Sequence, residues 1–125
     1  MIREVMAESL QDAGFEVLEA DHGDAAVAFL RHSPARFSIL VTDFHMPGDL
    51  DGVQVAFVAR QGSPDLPVII ATGRPDILQA RWRSDLGYQL LKKPYLPSQL
   101  VTLVRTVIRS SQVSADGLQQ SILRQ

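Results

Sequence analysis

The sequence predicts an α/β fold in which a parallel sheet is wrapped on both faces by helices, a doubly wound arrangement. Segments with helical apolar spacing alternate with short strand-like runs along most of the chain. Two of those runs, FSILVTD (37–43) and LPVIIATG (66–73), are almost wholly apolar, the mark of strands covered on both sides. No internal repeat interrupts the alternation, so one domain accounts for the 125 residues.

The elements follow in order. Ile2, Val5, Met6, Leu10 and Ala13 recur at three- and four-residue spacing and predict a first helix. Gly14 stops it, because glycine takes the left-handed conformation favoured at a helix C-terminus. FEVLEA (15–20) alternates Phe15 and Val17 with glutamates and predicts a short strand at a sheet edge. A second helix is expected from about Asp24 to His32, with Val27 and Leu30 inward, ended by Ser33-Pro34 because the residue before proline avoids the helical region. His22 and His32 flank it as surface residues. FSILVTD is the second strand, and VQVAFVARQG (53–62) a third helix with Val53, Ala56, Phe57 and Arg60 on one face. LPVIIATG is the third strand. RPDILQARWRSDLG (74–87) is a fourth helix of weaker periodicity with Pro75 in its first turn, and YQLLKKPY (88–95) a short fourth strand. PSQLVTLVRTVI (97–108) carries the cleanest amphipathic stripe, Leu100, Leu103, Val104, Val107 and Ile108. Residues 110–125 are polar and poorly patterned, which predicts a tail or helix extension beyond a domain of residues 1–109.

Composition narrows the function classes. There is no cysteine, which excludes a disulfide scaffold, a thiolate metal site and a cysteine nucleophile. Twelve basic against fourteen acidic side chains give no overall field to attract nucleic acid. No stretch approaches a membrane span of about 18 apolar residues, and MIREVMAESL carries glutamates where a secretory signal is apolar, so the cytoplasm is the default expectation.

In an open parallel sheet, ligands sit beyond the carboxyl ends of the strands. Three predicted strand ends carry polar groups that could meet there: Asp43, Thr72 and Lys93. A carboxylate can attack phosphorus, a hydroxyl can donate to a phosphoryl oxygen, and an ammonium can pair with another. Gly73 leaves room for the incoming group. Bland readings compete for each residue alone: a strand-end turn former, a strand-terminal threonine, a solvated lysine pair. The combination carries the case.

The order and spacing of ILVTDFHMPGDLDG (39–52), VIIATG (68–73) and LLKKPY (90–95) resemble the receiver domains of two-component response regulators, over about Met1 to Ile108. The resemblance implies a flavodoxin-like receiver fold and a phosphoacceptor domain, not a turnover enzyme, whose aspartate takes a phosphoryl group from a histidine kinase or phosphotransfer protein with magnesium present. It assigns Asp43 as acceptor, Thr72 and Lys93 as its partners, and Lys93 over Lys92 because Lys93 directly precedes Pro94, at a peptide bond it implies to be cis. Of the family's magnesium ligands it carries over the carboxylate of Asp43 and the backbone carbonyl of His45. No direct contact with nucleic acid or membrane is implied.

Three departures bear on that reading. Family members begin with a strand ending in an acidic pair, whereas Met1 falls inside the helix that follows. The position three before the lysine, usually a switch aromatic, is Leu90, with Tyr88 two residues early. MPGDLDG is one residue longer than the commoner loop. Loss of about five buried aliphatic side chains at roughly 1.5–3 kcal/mol each would remove on the order of 10 kcal/mol, which rivals a domain's whole stability. So either the polypeptide continues upstream of Met1, as the lack of an N-cap residue before the first helix suggests, or the flanking strands close into a four-stranded sheet, or a second chain fills the gap, giving a homodimer by strand exchange.

Other readings are weaker. Asp49-Leu50-Asp51-Gly52 faintly matches a calcium loop but lacks the remaining ligands. Arg81-Trp82-Arg83, with Arg74, Lys92 and Lys93, is a solvated basic face or, more sharply, a docking surface anchored by Trp82. A phosphatase-like hydrolase would need a second aspartate two after its nucleophile, where His45 stands. A degenerate receiver, never modified and acting only as an interaction or dimerisation module, is the alternative that the missing acidic pair supports.

Overall fold

The structure is a computed structural model that describes residues 2–20, 22–32, 37–45, 50–76, 87–111 and 121–124. Its elements run α1 (Ile2–Asp12), β1 (Glu16–Glu19), α2 (Gly23–His32), β2 (Ile39–Asp43), α3 (Gly52–Gly62), β3 (Val68–Thr72), β4 (Gln89–Lys92), α4 (Pro97–Ser111) and β5 (Ser121–Arg124). The five strands form one sheet in the order β1-β5-β2-β3-β4, and every pairing is parallel. The predicted α/β class and parallel sheet therefore hold, with β1 at an edge as its alternation of apolar and acidic residues implies.

Two apolar layers cover the sheet. On one face, Ala26, Val27 and Leu30 of α2 and Val55, Ala56 and Ala59 of α3 pack on Leu40, Val68 and Ile70. On the other, Met6 and Leu10 of α1 and Leu100, Val104 and Ile108 of α4 pack on Ile39, Val41, Ile69 and Ile122. β2 and β3 alternate between the two layers, which is why both read as continuous apolar runs. α1 ends where expected: Gly14 lies at φ 99°. His22 and His32 are exposed, and His22 Nδ1 accepts the Ala25 N–H at 3.2 Å at the start of α2.

Two expectations need correction. The buried stripe of α3 is Gly52, Val55, Ala56 and Ala59, while Phe57 is 60 % exposed. Apolar residues lie all round this helix, so periodicity leaves its phase open; the small side chains face α2 because they allow close approach. The second correction is larger. Residues 121–124, read in sequence as part of a tail or helix extension, form β5 at the middle of the sheet. Ile122 is fully buried there. β5 pairs with β1 from Glu16↔Ser121 to Glu19↔Arg124 and with β2 from Ile39↔Ile122 to Val41↔Arg124. The sheet does not close into four strands, and the position through which a second chain would enter is filled by this chain's own β5. The fourth helix expected at 74–87 lies outside the described residues apart from Arg74, Pro75, Asp76 and Gly87, as does the Arg81-Trp82-Arg83 cluster.

Candidate functional site

Asp43 is the last residue of β2, Thr72 the last of β3, and Lys93 follows β4 directly. Backbone pairing fixes their relative heights. Asp43 stands in register with Ala71 and Thr72 with Lys92, and beyond the ladders the Phe44 N–H donates to the Ala71 carbonyl at 2.9 Å. The Lys93 N–H donates to the Thr72 carbonyl at 2.8 Å. All three residues therefore come to the carboxyl edge of adjacent strands.

The Lys93 ammonium lies 3.1 Å from Asp43 Oδ1, while Lys92 is exposed. Alternation along β4 separates the two lysines, so only one can face the carboxylate. The paired side chains are 42 % and 34 % exposed for Lys93 and Asp43, which keeps the carboxylate open to solvent and to an incoming group. An apolar strand can end on a charge here because the carboxylate sits at the solvated lip and has a cationic partner. Thr72 is buried, and its hydroxyl accepts the Arg74 N–H at 3.1 Å, which uses a lone pair and keeps its own hydrogen for donation. A methyl group built on Gly73 would meet nothing within 4 Å, so the approach beside Thr72 is roomy. The Lys93–Pro94 peptide is cis.

The segment after Asp43 is tied down at both ends. Thr42 Oγ1 donates to the Asp43 carbonyl at 2.9 Å, and the Gly52 N–H donates to the Phe44 carbonyl at 2.9 Å. Asp51 caps α3 reciprocally: its Oδ1 accepts the Gln54 N–H at 2.9 Å while Gln54 Oε1 accepts the Asp51 N–H at 2.8 Å. Asp51 is thus engaged as a cap, which removes it from a calcium-type loop. Asp49 lies outside the described residues. His45 is exposed, and its ring makes a T-shaped contact with Phe44, the ring centres 4.6 Å apart.

A Cβ on Gly52 would collide with the Asp43 carbonyl oxygen, a backbone atom that cannot step aside. Gly52→Ala is therefore expected to destabilise the fold by about 1–3 kcal/mol in urea titration, and unchanged stability would mean that this approach is not tight.

Tyr88 is not part of this edge. It lies at the opposite end of β4, buried in the α2/α3 layer with the Arg60 guanidinium 4.7 Å from its ring centre. Burial pushes its phenol above the usual range, partly opposed by Arg60. Arg60 Nε donates to the Leu66 carbonyl at 3.0 Å, so the pair is anchored. Leu90, at the position of the expected switch aromatic, is half-buried against the same layer.

A doubly wound parallel sheet that brings an aspartate, a buried threonine and a lysine to one carboxyl edge defines a receiver-type signalling domain. Residues 1–105 match the response regulator receiver domain model, and the chain belongs to that family. It is 36 % identical over 108 residues to the response regulator receiver protein CpdR of Brucella abortus, covering 86 % of this chain and 88 % of that protein. It is 33 % identical over 105 residues to the C4-dicarboxylate transport transcriptional regulatory protein DctD of Rhizobium meliloti, covering 83 % of this chain but only 22 % of that longer protein. The fold matches the crystal structure of a response regulator receiver protein from Sinorhizobium medicae with a TM-score of 0.77 at 28 % identity, over 87 % of this chain and 86 % of that one. It matches the receiver domain of the hybrid histidine kinase CckA at 0.72 and 28 %, over 85 % of this chain and 88 % of that one. This chain is a receiver domain of two-component signal transduction. Receiver domains are phosphoacceptor signalling domains that interact with histidine kinases or phosphotransfer proteins, and the family generally binds Mg2+. Among the described residues, no helix is long and apolar enough to cross a membrane.

Proposed function

We propose that Asp43 is the phosphoacceptor, that Thr72 and Lys93 hold the phosphoryl oxygens, and that the donor is a phosphohistidine of a kinase or phosphotransfer partner. The observation that carries this reading is the 3.1 Å ion pair between Lys93 and Asp43 at an open strand end. A free Asp43 oxygen attacks phosphorus, the phosphorus–nitrogen bond of the donor breaks, and its electron pair leaves with the imidazole. The Lys93 ammonium, already beside the carboxylate, then faces the new phosphoryl charge, and the Thr72 hydroxyl can donate to a second oxygen. The product is a modified receiver that shifts the population of a surface read by a partner; the domain assists its own modification and does not turn over a substrate.

The family resemblance would place magnesium on the Asp43 carboxylate and the His45 backbone carbonyl. These two oxygens do not fit a resident ion: magnesium takes six ligands, the single carboxylate is engaged by Lys93, and among the described residues no three His, Cys, Asp or Glu side chains stand together. The proposed transfer therefore relies on Lys93 and Thr72 for the phosphoryl oxygens.

Incubation with acetyl phosphate tests it. The wild-type chain is expected to gain the mass of one phosphoryl group, and Asp43→Asn to gain none. A modification that persists in Asp43→Asn, or its absence from the wild type under all conditions, would return the chain to the reading of an interaction module.

A further inference from the structure

α1 and α4 form one outer face of the molecule. α1 leads into β1 through the Gly14 turn, α4 follows β4, and all strands are parallel, so the two helices run in the same direction, side by side over Ile39, Val41 and Ile122. Arg105 Nη2 donates to the Ala13 carbonyl at 3.5 Å, which sets position 105 of α4 level with the end of α1. Between the helices lies an open groove of about 610 Å³, with Ser9, Asp12 and Ala13 on the α1 side and Leu96, Val101 and Arg105 on the α4 side. The exposed charges are sorted by helix: Glu8 and Asp12 on α1, Arg105 and Arg109 on α4. Among the described residues none of these four takes part in an ion pair. Leu96 stands 63 % exposed at the groove, and Val101 beside it is half-buried.

We propose that two copies of this chain associate through this face, α1 of each lying on α4 of the other, about a two-fold axis that runs along the groove. Rotation about that axis exchanges the two sides of the groove and keeps every height, so Asp12 meets the partner's Arg105 and Arg105 meets the partner's Asp12. Leu96 and Val101, at the groove, come together with their own counterparts at the centre. Both signs of charge on one patch, on opposite sides and at one level, are what an isologous contact requires, whereas a partner of another sequence needs only one sign. Stacking α1 on α1 would instead set Asp12 against Asp12. Helices of 11 and 15 residues, about 16 and 22 Å long and each about 10 Å wide, offer roughly 400 Å² per copy, which falls at the weak end of specific interfaces. Apolar contact of that size does not select a partner by itself, and the two symmetry-related charge pairs supply the selection. The proposal goes beyond the acceptor reading and does not depend on it.

Sedimentation equilibrium of the full chain tests it. The wild type is expected to dimerise at low salt with a Kd of about 10–100 µM. Asp12→Arg sets two cations against each other in each pair, and Arg105→Asp two anions, so each variant alone should weaken the dimer about tenfold or more. An equimolar mixture of the two variants should dimerise again, because each reversed site then faces an opposite charge on its partner. Restoration by mixing separates association from any effect within one chain, which mixing leaves unchanged. Thermal melting checks that each variant folds, and Asp12→Asn and Arg105→Gln replace a variant that does not, each with an expected rise in Kd of about threefold. A wild type that stays monomeric at about 500 µM overturns the proposal and leaves the face to a protein of another sequence. Folded variants that dimerise like the wild type overturn it as well, and so does a mixture of the two reversed variants that remains monomeric.

Discussion

Removal of residues 121–125 is expected to unfold the domain rather than trim a tail. β5 is paired on both sides, and among the described ladders it is the sole partner of β1. Without it, the backbone polar groups of β1 and one edge of β2 lose their partners at the middle of the structure, at a cost of about 1–3 kcal/mol for each group left buried and unsatisfied. Ile122, fully buried among Met6, Leu10, Ile39, Val41, Leu100 and Val104, would leave a void under α1 and α4. The single change Ile122→Ala should already cost about 2–5 kcal/mol, a large part of a typical domain's stability of 5–15 kcal/mol. Far-ultraviolet circular dichroism in urea measures both. A truncated chain with the wild-type midpoint would mean that β5 is dispensable, and the sheet order would have to be redrawn.

Lys93→Ala should separate stability from chemistry. Both partners of the ion pair are more than a third exposed, so solvent screens it and its removal should change unfolding free energy by less than about 1 kcal/mol. The transferred phosphoryl group changes that balance, because charge then builds up at the point the ammonium faces. Losing one such fixed charge typically slows a reaction by about 100- to 1,000-fold. Modification by acetyl phosphate, followed by mass and set beside a urea titration of the same variant, should therefore show a large drop in rate at nearly constant stability. Lys92→Ala, which removes the exposed neighbour, is the control and should do neither. If the two lysine variants behaved alike, the ion pair with Asp43 would have no part in the reaction.

The position three before Lys93 and its nearest upstream aromatic have separate places in the fold. Leu90 occupies the relevant position, and Tyr88 is held at the far end of β4 by Arg60, whose guanidinium is itself bound to the Leu66 carbonyl. Tyr88 is therefore anchored at the opposite end of the β4 region from the edge where Thr72 stands.

The phase of α3 shows where pattern reading fails. Valines, alanines and a phenylalanine surround that helix, and only the close approach of α2 selects Gly52, Val55, Ala56 and Ala59 as the inward stripe. Phe57, the largest apolar residue of the segment, ends outside. The segment after Asp43 is similar: Gly52 is required because α3 starts directly against the Asp43 carbonyl.

By itself the sequence determined the alternation of helices and strands, the two doubly covered strands and the three polar strand ends, because apolar period and strand-terminal residue type are local properties that any sheet of this class must respect. Only the tertiary structure decided what stands at the centre of the sheet. Ser121–Arg124 is four residues long and has no period of its own, so its place depends on which paired backbone edges are vacant and on the apolar space that Ile122 fills between α1 and α4. The same placement sets the backbone of β5 beside Ile39–Val41, a neighbour that no spacing along the chain announces.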